Sequence, residues 1–553
     1  MNRISKQVVT ALSIVLVFVA GAFSGRYFLS EDISADDARS AAKIAGLEMT
    51  QAEIDSLLPE LGNLRKNYIA NRKREVPNAL SPALVFNPLP PGMVLDQTQK
   101  PVVFSNPGKV MLPKNRDELT FFTVRQLAAL IRTKQISSVE LTQFFLDRLK
   151  KYDPQLHCVI TLTEDLALAQ AKRADQEIAQ GKYRGLLHGI PYGAKDLLAK
   201  KAYKTTWGAM PYKDQVIEED ATVIQKLEEA GAVLVAKLTL GALAWGDVWF
   251  GGMTRNPWAP DTGSSGSSAG SASAVAAGLV PFAIGTETLG SIVSPSTVCG
   301  TTGLRPTFGR VSKHGAMALS WSMDKIGPIT RSVEDCAIVF NAIYGPDGKD
   351  LSLIKAPFNY NATFDPKKLK VGYLKSDFER NYPFKKQDST ALAKLRELGF
   401  ELIPIELPAM PEIGFILSAE AATAFDDLTL SNRDDLMVRQ IKNAWPNTFR
   451  QARFIPAVEY IKANRLRAQL IVEMQQLFEK VDVYVHPSWV GNSLRITNLT
   501  GHPCVVVPNG FQQNGRPSSI SFTGKLMDEA TLLSFVKKWQ DATDFHKKHP
   551  TLQ

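Results

Sequence analysis

Three stretches of this 553-residue chain hold residue types that can carry out nucleophilic chemistry. From Asp261 to Gly278 the sequence reads DTGSSGSSAGSASAVAAG, unusually rich in Gly and Ser. A flexible linker is one reading, but the apolar AVAAGLVPFAIG overlaps its end, and linkers do not merge into cores. A phosphate-cradling loop is a second, yet neither G-x-x-x-x-G-K-S/T nor G-x-G-x-x-G occurs there. The third, which we favour, is an active-site loop whose small residues let main-chain N–H groups approach a ligand closely. Just downstream lies Gly285-Thr286-Glu287-Thr288-Leu289-Gly290-Ser291-Ile292. Upstream, at 188–196, is His188-Gly189-Ile190-Pro191-Tyr192-Gly193-Ala194-Lys195-Asp196.

A serine hydroxyl is a poor nucleophile until a base takes its proton. Histidine is the usual base, but the chain has only seven and none sits in a recognisable nucleophile-elbow arrangement such as G-x-S-x-G. A lysine can serve where burial disfavours the ammonium form and brings its pKa toward neutrality. Taken singly, a serine beside a glycine is ordinarily a turn residue, and a lysine before an aspartate is ordinarily a surface ion pair. Only the joint order of the blocks sets these residues apart.

That order resembles the amidase signature family of serine hydrolases. The family pattern has a lysine in H-G-x-P-x-x-x-K-D, a Gly/Ser loop G-S-S-G-G, and a nucleophilic serine in G-T-D-x-G-G-S-I-R. The resemblance runs from about Leu119 to the C-terminus and includes Gly303-Leu304-Arg305-Pro306-Thr307, Asp324, Gly327 and Pro328, then Gly501, Pro503 and Pro508. It implies that Ser291 is the nucleophile, Ser267 a bridging serine on a cis peptide bond, and Lys195 the catalytic lysine. The separations, 291 − 267 = 24 and 267 − 195 = 72, suit the family pattern. Main-chain N–H groups around Thr288, Leu289 and Gly290 would hold the oxyanion. The resemblance implies a large mixed β-sheet covered by helices on both faces, and an acyl-enzyme route that needs no metal or organic cofactor. The chain departs from the pattern at Glu287 (for Asp), Leu289 (for Gly) and Val293 (for Arg), and at Ser265 and Ala269 (for Gly). We read these as a divergent subgroup with an altered pocket; leucine would strain the loop if position 289 needed φ > 0.

The expected function is therefore an exported amidase acting on a small-molecule amide. The alternatives are a glutaminase-type subunit of a tRNA-dependent amidotransferase and a catalytically silent scaffold of the same fold. Cys299 and Cys504 sit in apolar or small surroundings and are read as buried structural thiols, and His188 as a loop residue.

The elements that must position these residues alternate as an α/β body does. Ser137 and Glu140 form an S-x-x-E capping box before a helix carrying Leu141, Phe144, Phe145 and Leu149. Val223, Ile224 and Leu227 mark a helix that Gly231 stops, and Ala232–Leu238 reads as a buried strand. Ser519–Phe522 is strand-like, and Asp528 opens a helix. Before the body, residues 35–75 have helical periodicity, followed by a proline-rich connection from Pro77 to Pro91. The expected division is 1–25, a signal peptide or membrane anchor; 35–90, a helical arm and linker; and 119–553, the catalytic domain. The arm is open to three readings: packing on the body, covering the entrance, or pairing copies into a homodimer. Arg3 and Lys6 before an apolar stretch spanning 8–23, then Ala20-Gly21-Ala22, read as a secretory signal or, uncleaved, an anchor. Apolar residues at 44% and charged residues at 22% exclude disorder and collagen-like fibres. The net charge of +9 is spread along the chain, so no nucleic-acid partner is expected. Four distant cysteines exclude a disulfide framework.

Overall fold

In the computed structural model, which describes residues 33–552, local signals act where the sequence places them. Ser137 and Glu140 reciprocally cap helix Ser138–Leu156, with Glu140 N donating to Ser137 Oγ at 3.0 Å and Ser137 N to Glu140 Oε2 at 2.8 Å. Leu141, Phe145 and Leu149 are buried and Phe144 half-buried. Helix Thr222–Glu229 ends before Gly231, whose φ of +83° is the left-handed conformation that suits glycine. Asp528 caps helix Glu529–Asp541 through Thr531 N. The 35–75 periodicity resolves into two helices, Ala35–Ile44 and Gln51–Arg72, each opened by its own capping box, Ser34 with Asp37 and Thr50 with Glu53.

Eleven strands form one mixed sheet: β1 (Val159–Leu162), β2 (Pro191–Lys195), β3 (Val233–Leu238), β4 (Phe282–Glu287), β5 (Thr302–Arg305), β6 (Lys325–Thr330), β7 (Val371–Leu374), β8 (Leu402–Ile405), β9 (Val483–Pro487), β10 (Cys504–Phe511) and β11 (Pro517–Gly524). Their order is β1-β3-β2-β4-β6-β5-β10-β11-β9-β7-β8. Within it β3, β2 and β4 run parallel, so their carboxyl ends share one edge. Every residue of β2, β3, β4 and β6 is buried, as continuous apolar strands covered on both faces require. Helices Ser138–Leu156 and Ala269–Ala276 join β3 in one apolar core through Leu146, Leu149, Val235 and Val275. All four cysteines are free and buried.

The chain divides into two compact units. One ends at Pro77 and includes Phe454–Pro456; the other comprises Asn78–Arg453 and Ala457–Gln553. The proline-rich stretch therefore groups with the body from Asn78 onward, because its side chains are pinned there: Phe86 meets Phe308 edge-on at 5.0 Å, and Pro88 and Pro90 are buried. The expected signal segment lies outside the described residues. Among those described, no helix is long and apolar enough to cross a membrane.

Candidate active site

Lys195 is the last residue of β2, and parallel β4 ends beside it at Thr286 and Glu287. Ligand sites of open α/β sheets form at such carboxyl ends. The side chain of Lys195 is fully buried, yet among the described residues no carboxylate forms an ion pair with it. Its Nζ lies 2.8 Å from Ser267 Oγ, 3.1 Å from Ser268 Oγ and 2.9 Å from Thr286 Oγ1. Burial pushes its pKa down to about 7 against the weaker pull of Asp324 and Glu287.

The Gly/Ser loop reaches this lysine by close main-chain approach. A Cβ on Gly266 would stand 1.9 Å from the Gly246 carbonyl oxygen, so only glycine fits. The Gly266–Ser267 peptide is cis, as the family resemblance implied. Ser265, one of the departures, sits at φ +59°, a conformation that suits the glycine it replaces. Its Oγ pairs with Ser294 Oγ at 2.5 Å, and its N–H donates to Asp247 at 2.9 Å. Ala269, another departure, simply begins the buried helix Ala269–Ala276.

Ser291 lies in the turn between β4 and helix Val293–Cys299, and its carbonyl accepts from Ser268 N at 3.2 Å. The structure thus brings Lys195 and Ser267 into direct contact and joins Ser291 to their loop through the main chain. Among the described residues, no hydrogen bond links the Ser291 hydroxyl to Ser267 or Lys195. In this turn the left-handed residue is Gly290, at φ +83°, and Leu289 is not in that region. The leucine imposes no such strain; its side chain is partly exposed.

Glu287 explains the turn's shape. Its carboxylate accepts from Ile292 N at 2.8 Å and Val293 N at 2.9 Å, and it pairs with Arg305 at 2.8 Å and Asn498 at 2.8 Å. Burial alone would raise its pKa; Arg305 and the hydrogen bonds outweigh that and hold it at about 2. With Ile292 and Val293 N–H groups so occupied, those of Leu289, Gly290 and Ser291 keep no acceptor among the described residues. Thr288 donates its hydroxyl to Asp324 at 2.5 Å, and the other oxygen of Asp324 accepts from Leu319 N and Ser320 N. Burial raises the Asp324 pKa despite those bonds.

Thr286, Ser268, Arg305 and Asn498 are absent from the sequence-based site. Thr286 and Ser268 adjoin named residues and were within reach of a motif reading. Asn498 lies 211 residues from Glu287, with no local signal. His188 is a buried turn residue whose Nδ1 accepts from Arg184 N, away from this site.

A mixed sheet whose parallel strand ends present a buried lysine to a Gly/Ser loop is the architecture of the amidase signature proteins. The family model described as Amidase matches residues 140–533, and the chain belongs to that family. It is 34% identical over 482 residues to a glutamyl-tRNA(Gln) amidotransferase subunit of Coxiella burnetii, covering 78% of this chain and 99% of that one. Among solved structures it is similar to the peptide amidase of Stenotrophomonas maltophilia, 29% identical with a TM-score of 0.67, covering 76% of this chain and 96% of the other. An amidase family protein from Bacillus anthracis is 28% identical with a TM-score of 0.71, covering 79% and 93%. Amidase signature enzymes are hydrolases that act on amides.

Proposed function

We propose that this protein hydrolyses the carboxamide bond of a small linear amide through Ser291, Ser267 and Lys195. The observation that carries the reading is a fully buried lysine whose Nζ meets the hydroxyls of Ser267, Ser268 and Thr286 and, at 3.5 Å, the Thr286 carbonyl, with burial pushing its pKa down to about 7. In its neutral form Lys195 takes the proton of Ser267 as Ser267 takes that of Ser291. Ser291 Oγ bonds to the carbonyl carbon, and the resulting oxyanion is held by main-chain N–H groups of Leu289 to Ser291. The proton then returns through Ser267 to the leaving nitrogen as the C–N bond breaks, which leaves an acyl-enzyme. Water attacks the ester with the same relay acting as base, releasing the acid and restoring Ser291. Removing one oxyanion donor costs about 3–4 kcal/mol in such sites.

Fluorophosphonate labelling of the purified protein, with the mass of the labelled peptide, tests this. Ser291 is expected to be the modified residue, with no label on S291A and labelling slowed about 100-fold or more in K195A. Label retained by S291A would sink the assignment. A folded wild type that takes no label would favour the silent scaffold.

The glutaminase-type reading is favoured by one finding, the 34% identity to the amidotransferase chain over 99% of its length. Turnover of simple amides by the purified chain without partners argues for the amidase. Dependence on added partner chains argues for the other. We propose further that the protein is exported, on the strength of its N-terminal sequence; the mass of the mature N-terminus from a membrane or secreted fraction tests that.

A further inference from the structure

The Amidase match begins at residue 140, yet a segment well before it borders the cavity beside the proposed catalytic groups. That cavity is partly open to solvent, holds about 630 Å³ of empty space with the open part counted, and is lined by Thr286, Thr288, Met317 and Trp321, and by Ala79 and Ser81. Thr286 is the residue whose hydroxyl meets Lys195 Nζ, so the cavity reaches the lysine's own partner.

Asn78 fixes the segment. Its Oδ1 accepts from Ala318 N at 2.8 Å, and its Nδ2 donates to Ala318 O at 2.9 Å and to Ala424 O at 3.1 Å. One side-chain amide thus satisfies both main-chain groups of a single residue, as a neighbouring strand would. Further along, the Arg467 guanidinium lies 3.6 Å over the Phe86 ring, and Pro88 packs where a Cβ on Gly501 would come within 2.9 Å of it. The segment is held at both ends, with Ala79 and Ser81 exposed between the clamps. Pro82 inside it fixes φ and reduces the freedom lost in keeping that course.

We infer that residues 78–86 are a specificity-determining strap: Ala79 and Ser81 form a rim of the substrate cavity that admits compact amides and excludes bulky ones. The inference rests on the catalytic reading of Ser291, Ser267 and Lys195. A rim of small side chains on a clamped backbone discriminates by size, because a larger substrate group meets main chain that cannot retreat. A rival role for Asn78 is visible in the same bonds. Ala318 adjoins Leu319, whose N–H is held by Asp324, which in turn holds Thr288. Asn78 could therefore act on the catalytic turn itself, and the test must separate the two.

The experiment compares labelling rates of full-length wild type, N78A and A79W by two fluorophosphonates, one with a short alkyl group and one with a bulky aromatic group. Circular-dichroism melts establish that each variant is folded. The bulky-to-compact ratio is expected to rise about fivefold or more in N78A and to fall comparably in A79W, with the compact rate within about twofold throughout. An unchanged ratio in both variants overturns the strap. So does a folded N78A in which both rates fall together, which makes Asn78 a positioning residue for the turn. If N78A does not fold, A79W alone decides by its ratio. A wild type that takes neither probe removes the catalytic reading and the inference with it; one labelled at Ser291 with a ratio that does not move removes only the inference.

Discussion

A buried lysine among hydroxyls has only weak help in keeping its charge. Ser267 and Thr286 can each donate to the neutral amine or accept from it, and Ser268, whose own proton goes to the Thr286 carbonyl, accepts as an uncharged oxygen, so none favours the ammonium as a carboxylate would. Desolvation then decides, and the pKa falls to about 7. Because the neutral amine is the base, kcat/KM for an amide is expected to rise with pH through about 7 and then level off. A profile flat from pH 5 to about 9 would show that Lys195 is not the titrating base. Asp324 supplies the larger opposing pull, favouring the ammonium form. D324N removes that charge while keeping a side-chain oxygen for Leu319 and Ser320, so the midpoint of the profile should move to lower pH. Loss of activity with an unmoved midpoint would reduce Asp324 to an anchor for Thr288. Glu287 offers a parallel test with a different geometry. E287Q keeps an acceptor for the turn but leaves Arg305 without its anion, so kcat should fall about 10- to 100-fold and the midpoint should again drop. An unchanged kcat would show that the turn holds its shape without the buried ion pair.

At the scale of elements, the strand ends that carry Lys195 are tied by a second buried pair. Asp196, the residue after β2, meets Lys237 of β3 at 2.7 Å, with both side chains fully buried. Removing either partner leaves an uncompensated charge in the interior, which costs about 3–5 kcal/mol. D196L and K237M should each lose about that much in urea denaturation, and the apolar double variant D196L/K237M should recover at least half. Equal and additive losses would mean that the pair is not coupled. This pair also shows what a sequence can and cannot convey. AVLVAKL reads as a buried strand from its continuity, and the structure bears that out, with its lysine inside. The reason the lysine is tolerated lies 41 residues upstream in Asp196, and no local periodicity carries it. The same holds for Glu287, whose partners Arg305 and Asn498 come from β5, beyond β6 in the sheet, and from a distant helix. Short-range signals were legible wherever they were complete, as at Ser137–Glu140. The break between the two N-terminal helices was written locally too, in Gly46 at φ +70° and the Thr50–Glu53 box, but it was masked by an apolar spacing that continues across it.

For the molecule as a whole, the division at Pro77 separates the chemistry from the N-terminal helices. All eleven strands of the sheet, the Gly/Ser loop and every residue placed around Lys195 belong to the larger unit. That unit has an apolar core of its own around β3 and a second around Leu374, Met474 and Tyr484. The smaller unit buries little: in helix Gln51–Arg72 only Ile54 is buried. A unit with its own core and no missing strand has what independent folding needs. A chain that begins at Val76, and so keeps Asn78, is therefore expected to melt cooperatively within about 3 °C of the full-length protein and to label at Ser291 at a rate within about threefold of it. Matching melts with a changed bulky-to-compact labelling ratio would show that the N-terminal helices influence access. A truncated chain that is insoluble, or folded and unlabelled, would show that the catalytic body depends on the helices for its stability or its active conformation. The sheet would then not be the self-sufficient unit its contacts describe.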